Sequence, residues 1–344
     1  KKIGPLFFCY LCSMINSVRN TVLAIANKNN YGYISPQDFN LYAKQAQMDM
    51  FENYFYQYNN WIIRQNQKTS GIGYADIVKG LEEVIDSFSV SAFLIQNGFV
   101  PGAPFGTDII SNRYFLPNDY YLINKVFYYP TLLFTGVGGF VAGTGTITEP
   151  SAPFLPIPVS APFPALNSIV VCSTTLLSAS VVAVPNSTTL VINGSIGTSN
   201  GYKVYSNKNI VKVERVSQNK IFNLTSSNLT SPNKQYPAYT LDGLSGTNQE
   251  FITVYPETIQ NQGDIQVQYI RYPKDPKWTY ISIGAQGSPI FNSSQPDYQD
   301  FELPLSDEPM LVAKILQYVG IEIRESDVVN FAMDQEEMDN QQTS

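Results

Sequence analysis

Apolar residues recur every three or four positions near both ends of this 344-residue chain and alternate with polar ones through its middle. Val18, Val22 and Ile25 share one helical face, and the pattern dies in the turn-forming run NKNNYG. In YISPQDFNLYAKQAQMDMFENYFYQYNNWIIRQNQ, Ser35 suits an N-cap, Pro36 the first helical position and Asp38 the positive helix end. Phe39, Tyr42, Ala46, Met50, Tyr54, Tyr58, Trp61 and Ile62 follow at helical steps, which predicts a helix from Pro36 to Gln67 of roughly 48 Å. After the breaker KTSGIG, Ile77, Leu81, Val84 and Ile85 mark a third amphipathic helix over Tyr74 to Phe88.

From Ser89 the texture changes to β-branched and aromatic runs divided by Asn, Gly and Pro, and strands are expected through to Ile270. Gly136 to Ala165, rich in Gly and then Pro, reads as an extended loop or arm. Helical spacing returns at Leu311, Val312, Ile315, Leu316 and Val319, with Ser306 as expected cap and Gly320 as expected terminator. A second turn starts at Ser326 with Val328, Phe331 and Ala332 inward. The predicted class is α+β: a helical bundle formed by the N- and C-terminal segments, with a sandwich- or barrel-like β-rich insertion. The expected boundaries are an extension over 1–13, helices over 14–88, the β-rich part over 89–299 and an acidic helical tail over 300–344.

The stretch VQYIRYPKDPKW, Val267 to Trp278, concentrates basic residues, two prolines and a tryptophan. Val267, Tyr269 and Arg271 are expected on one strand face, and Pro273 and Pro276 prevent further central pairing. Lys274 and Lys277 read as solvated charges, whereas Arg271, Tyr272 and Trp278 read as a packed joint between sheet and bundle.

Composition narrows the chemistry. Charged residues are only 14%, while 23 Tyr and 20 Phe point to a surface that is uncharged, partly aromatic and suited to assembly. The net charge of −7 is uneven: residues 300–344 hold 11 acidic and 2 basic residues, leaving 17 and 19 in the rest. Such a body has no bulk basic footprint for nucleic acid.

There is no histidine, which removes the usual nucleophile–base pairs and histidine metal sites. Cys9 and Cys12 form a C-x-x-C spacing without a second pair, and Cys172 stands apart, so neither zinc nor a disulfide framework is implied. The acidic groups Asp297, Asp300 and Glu302, and Asp334, Glu336, Glu337 and Asp339, read as surface or helix-end charge. No catalytic residue, metal or cofactor is expected, and the chain is read as no enzyme.

The N-terminal KKIGPLFFCYLCS is too short to span a membrane, and Met14 reads as a natural start preceded by an extension or arm. If this segment were instead a signal, the Asn, Ser and Thr richness and the aromatic residues would fit a secreted or surface β-rich glycan-binding protein of a bacterium.

The order YISPQDFNLYAKQAQMDMFENY, a β section, ITVYPETI, IQVQYIRYPKDPKW and DFELPLSDEPMLVAKILQYVGIEIRESDVVNFAMDQEE resembles virion structural proteins of short-tailed, crAss-like bacteriophages. Within them it is most similar to ring or adaptor proteins of the head–tail connector, over Met14 to Phe88 and Phe251 to Glu337. The resemblance implies a non-enzymatic tail subunit in the virion, assembled in the host cytoplasm, commonly as a dodecamer. It would contact the portal and other tail or ring proteins, line a DNA ejection channel that DNA passes without sequence recognition, and touch no membrane. Head-to-tail closure needs two different faces on each subunit. The candidate assembly residues are Tyr54, Tyr58, Trp61, Arg271, Tyr272 and Trp278.

Overall fold

The computed structural model describes residues 13–26, 34–66, 75–97, 111–136, 139–141, 145–149, 164, 166–172, 176–194, 196, 201–243, 250–282, 289–323 and 333. The fold is mixed α+β. The chain divides into two compact units, one from residues 1–88 and 273–344 and the other from residues 89–272.

The first unit opens with three helices, α1 (Met14–Ala26), α2 (Pro36–Asn66) and α3 (Ala75–Ser87). The start of α2 follows its capping chemistry: Ser35 Oγ accepts the Asp38 N–H at 3.1 Å, and the Ser35 hydroxyl donates back to the Asp38 carboxylate. Ile15, Val18 and Val22 from α1 and Phe39, Ala43, Ala46 and Met50 from α2 are buried together with Leu311, Ile315, Leu316 and Val319 from the far end of the chain.

The second unit holds β1 (Ser89–Phe93), β2 (Ile95–Gln96), β3 (Arg113–Phe115), β4 (Tyr120–Tyr128), β5 (Leu132–Gly136), β6 (Gly139–Val141), β7 (Thr146–Thr148) and β8 (Ile169–Cys172). It continues with β9 (Ser178–Asn186), β10 (Thr189–Ile192), β11 (Tyr202–Tyr205), β12 (Val211–Arg215), α4 (Gln218–Thr225), β13 (Ala238–Asp242), β14 (Phe251–Tyr255) and β15 (Ile265–Arg271). The first unit then resumes with the hairpin β16 (Tyr280–Ser282) and β17 (Pro289–Phe291), a 3-10 turn at Leu305–Asp307, and α5 (Glu308–Ile323).

Eight strands form one sheet in the order β1-β15-β4-β12-β13-β14-β3-β2. Its two outermost strands are successive pieces of one segment, separated only by Leu94, whose N–H donates to Ile265 O at 3.0 Å. The sheet is therefore a nearly closed barrel, and closure removes the exposed edges that an open sheet of this size would present. Val126, Ile252, Val254, Ile265 and Val267 are buried in its core.

A seven-stranded sheet, β5-β11-β8-β9-β10-β7-β6, lies in the sequence between β4 and β12, and its outermost strands β5 and β6 are again consecutive in the chain. The organisation is one of nested insertions. The smaller sheet interrupts the larger, and the larger interrupts the helical unit.

The two sheets meet over Phe93, Tyr129, Val171, Leu176 and Tyr205. Beside them, buried Lys203 donates to Gln262 O at 2.7 Å, and the Tyr205 hydroxyl donates to Asp264 Oδ1 at 2.8 Å. Gly263 sits between these partners at φ +84°, and a Cβ there would lie 3.3 Å from the Tyr205 hydroxyl oxygen.

Several expectations are corrected. Much of the glycine-rich stretch that falls within the described residues is not an arm, because Gly136, 139–141 and 146–148 belong to β5, β6 and β7. Gly136 is required by close approach: a Cβ there would overlap the Tyr202 ring and the Glu149 carboxylate. Residues 142–144, 150–163 and 165 lie outside the described residues, as do residues 1–12, the turn expected from Ser326 and Asp334 to Asp339.

The run from Val211 to Ala238 is not strand throughout, since α4 occurs in the crossover between β12 and β13. These two strands are parallel, which demands such a crossover. Ser306 does not cap α5; a 3-10 turn leads into the helix, and the Ser306 hydroxyl donates to Asp307. Gly320 does not end α5, which runs on to Ile323; Gly320 is buried, and tertiary packing outweighs its weak helix propensity. Finally, the chain leaves the sheet unit at Pro273 rather than near residue 300, because Trp278, Phe291 and Tyr298 pack with the helices.

Candidate functional site

The stretch Val267 to Trp278 spans the boundary between the two units, which falls between Tyr272 and Pro273. On the sheet side, β15 loses its simple alternation. Register shifts against β4 fall between Gln268 and Tyr269 and between Ile270 and Arg271, and here Tyr269 and Ile270 are both buried and Arg271 is half-buried. Arg271 donates to Tyr272 O at 3.1 Å, and the Tyr272 ring meets Tyr121 edge-on at 5.0 Å.

On the helical side the segment is strapped to α2. Gln47 donates to Lys274 O at 2.8 Å and accepts the Glu302 N–H at 3.0 Å, while Glu302 accepts the Lys274 N–H at 2.9 Å. Asn40 accepts the Trp278 N–H at 2.8 Å and donates to Trp278 O at 3.2 Å, filling a position that a neighbouring strand would otherwise occupy. Pro273 and Pro276 are buried in this strap. Lys44–Asp275 at 2.7 Å and Lys277–Asp297 at 2.5 Å are half-exposed ion pairs on its outside, where solvent screens the attraction. Lys277 holds the Asp297 carboxyl below its ordinary range.

Trp278 is 2% exposed. Its Nε1–H donates to Asn16 Oδ1 at 3.1 Å, Arg19 covers one face, and Tyr280 and Phe291 stack against it. Tyr54 is also buried and donates to the Asp307 carboxylate; burial first, then that hydrogen bond, push its phenol well above the usual range. Trp278 and Tyr54 thus belong to the interior of the helical unit and present no free face for assembly, which corrects their reading as interface residues. Tyr58, half-buried and hydrogen-bonded to Glu82 at 3.2 Å, and half-buried Trp61 lie further along α2. Arg271 and Tyr272 belong to the sheet unit. The six candidates therefore divide between the two units.

The described acidic residues that stood close in sequence have structural partners. Asp300 accepts the N–H groups of Met14 at 3.0 Å and Ile15 at 2.8 Å at the start of α1, while Asp297 and Glu302 hold the strap. Among the described residues no group of three metal-ligating side chains is brought together, and no helix is long and apolar enough to cross a membrane. Cys172 is buried.

Sequence reasoning missed a groove of about 590 Å³ in the sheet unit, between β12 and the crossover that follows α4. Ile210, Lys212, Leu224, Leu229 and Tyr236 line it together with Glu214. The available signal was the run of basic residues at Lys208, Lys212, Arg215, Lys220 and Lys234 in an otherwise acidic protein. No protein-family model matches this chain, and no curated protein matches it.

Proposed function

We propose that this chain is a non-enzymatic structural subunit of a bacteriophage virion, a ring or adaptor protein of the head–tail connector that assembles as a cyclic homo-oligomer. One observation carries the reading. The two stretches that hold the resemblance to connector proteins lie at opposite ends of the chain, yet Phe39, Ala46 and Met50 from one and Trp278, Phe301 and Leu311 from the other are buried in a common core. We read that core as a helical bundle built from both chain ends, carrying the sheet unit as an insertion. The absence of histidine from the sequence supports a structural rather than a catalytic role. In a ring of twelve, as the resemblance implies, the sheet unit would supply one contact face and the helical unit the other.

Electron microscopy of the purified chain, with light scattering for mass and mass spectrometry of purified virions, tests this. Closed rings and virion incorporation are expected. A chain that stays monomeric and is missing from virions overturns the proposal.

A further inference from the structure

The crossover from Val216 to Pro237 is ordered by its own hydrogen bonds. Ser227 O accepts the N–H groups of Thr230 at 3.2 Å and Ser231 at 2.9 Å. Asn233 Oδ1 accepts those of Gln235 and Tyr236, both at 2.9 Å, and the Thr230 hydroxyl donates to Leu224 O at 3.1 Å. A segment held this firmly nevertheless turns large apolar side chains to solvent: Leu229 is 94% exposed, Tyr236 76% and Phe222 72%, the highest fractions among the described large apolar residues. Scattered exposed apolar residues need no explanation, but their concentration on one pre-ordered crossover beside a groove marks a docking surface.

Charge selects the occupant. From Asn207 to Pro237 the sequence carries Lys208, Lys212, Arg215, Lys220 and Lys234 against the single acid Glu214, and all six are exposed. Residues 324–344 carry the opposite pattern, Glu325, Asp327, Asp334, Glu336, Glu337 and Asp339 against Arg324, with Val328, Phe331 and Ala332 at helical spacing. Lys212 and Glu214 are the charged residues that line the groove itself, and the excess of positive charge lies on the strand and crossover that flank it, so an acidic segment with an apolar stripe matches the apolar walls and the basic surroundings together.

We infer that the groove between β12 and the α4 crossover receives the acidic segment 324–344 of a second copy of this chain. The contact pairs two different surfaces, so repetition around an axis generates a ring. This inference rests on the reading of the chain as a self-assembling subunit and specifies the chemistry of one contact.

The test uses two full-length variants, Lys212→Glu/Lys234→Glu, which changes one residue lining the groove and one in the crossover beside it, and Asp334→Lys/Glu336→Lys/Glu337→Lys in the acidic segment. Mass is measured by light scattering at about 0.15 M salt, and thermal unfolding checks that each variant folds like the parent. Each variant alone is expected to lose the oligomer. An equimolar mixture is expected to recover it, because every groove then meets a segment of opposite charge. Either variant alone assembling as the parent does, or a mixture that fails to recover, overturns the groove assignment while the parent's oligomer leaves the ring reading standing. A parent that is monomeric overturns both.

Discussion

The guanidinium carbon of Arg19 lies 3.9 Å from the centre of the Trp278 ring. Arg19 comes from α1 and Trp278 from the segment that re-enters the helical unit, and both are buried, at 6% and 2% exposure. Stacking in a desolvated setting is worth about 2 kcal/mol, so Arg19→Ala is expected to lower unfolding stability by about that much. Removal of the indole by Trp278→Ala is expected to cost about 3–5 kcal/mol, since packing against Tyr280 and Phe291 goes with it. In a double-mutant cycle by urea denaturation the two losses should be strongly non-additive. Simple addition would show that the stacked pair contributes nothing as a pair.

Asp300 acts on a helix 285 residues away in sequence, where its Oδ1 accepts the Ile15 N–H. Two of the N-terminal N–H groups of α1 thereby find an acceptor, and the negative charge meets the positive helix end. Asp300→Ala is expected to destabilise the protein by about 1–2 kcal/mol, with Asp300→Asn costing less. Hydrogen exchange should localise the loss to the first turn of α1, and unchanged protection there would rule out the capping role.

Two glycines separate close packing from helix propensity. Gly136 presses against Tyr202 and Glu149 in the smaller sheet, so Gly136→Ala forces displacement of buried groups and is expected to cost about 1–3 kcal/mol. Gly80, inside α3, has open space around the position of a Cβ, and Gly80→Ala is expected to stabilise by about 0.5–1 kcal/mol. Midpoints of thermal unfolding should move in opposite directions; movement in the same direction would refute the contrast.

The helices were legible in the sequence because their determinants are local. Ser35, Pro36 and Asp38 announce the start of α2, and the three-to-four spacing of Phe39, Ala46, Met50 and Tyr54 marks its buried face. What escaped local reading depends on partners distant in sequence. Gly136 belongs to a strand because Tyr202 and the sheet around it enforce that conformation, whereas glycine alone reads as a loop. Trp278 reads from the sequence as part of a packed joint and as an assembly candidate, and the partners that bury it, Asn16, Arg19 and Asn40, come from the opposite end of the chain, where no local pattern announces them. The groove was invisible for the same reason. Lys212 and the basic residues around it were present in the sequence, but α4 and the ordered turns that frame the groove follow from the parallel pairing of β12 with β13.

The joint between the two sheets gives the chain a pH dependence of definite sign. Burial raises the Asp264 carboxyl above its ordinary value of 3.8, against the opposing hydrogen bond from Asn261, the charge of Lys203 and the hydrogen bond from Tyr205. A carboxyl with a higher pKa in the folded than in the unfolded chain holds its proton more tightly when folded. Its contribution to stability is therefore complete below the unfolded value and is lost as pH rises through the folded one. Asp264→Asn keeps an acceptor for Tyr205 but cannot ionise. As pH is raised from about 3.5 towards 7, the parent is expected to lose stability relative to Asp264→Asn, by about 1.4 kcal/mol for each unit separating the two pKa values, after which the difference levels off. Denaturation of both proteins across that range cancels the titration of other groups. Parallel stability curves would mean that Asp264 ionises in the folded protein as readily as in the unfolded chain, and a parent that gains stability relative to the variant would mean that Lys203, Asn261 and Tyr205 overcome the cost of burying the charge.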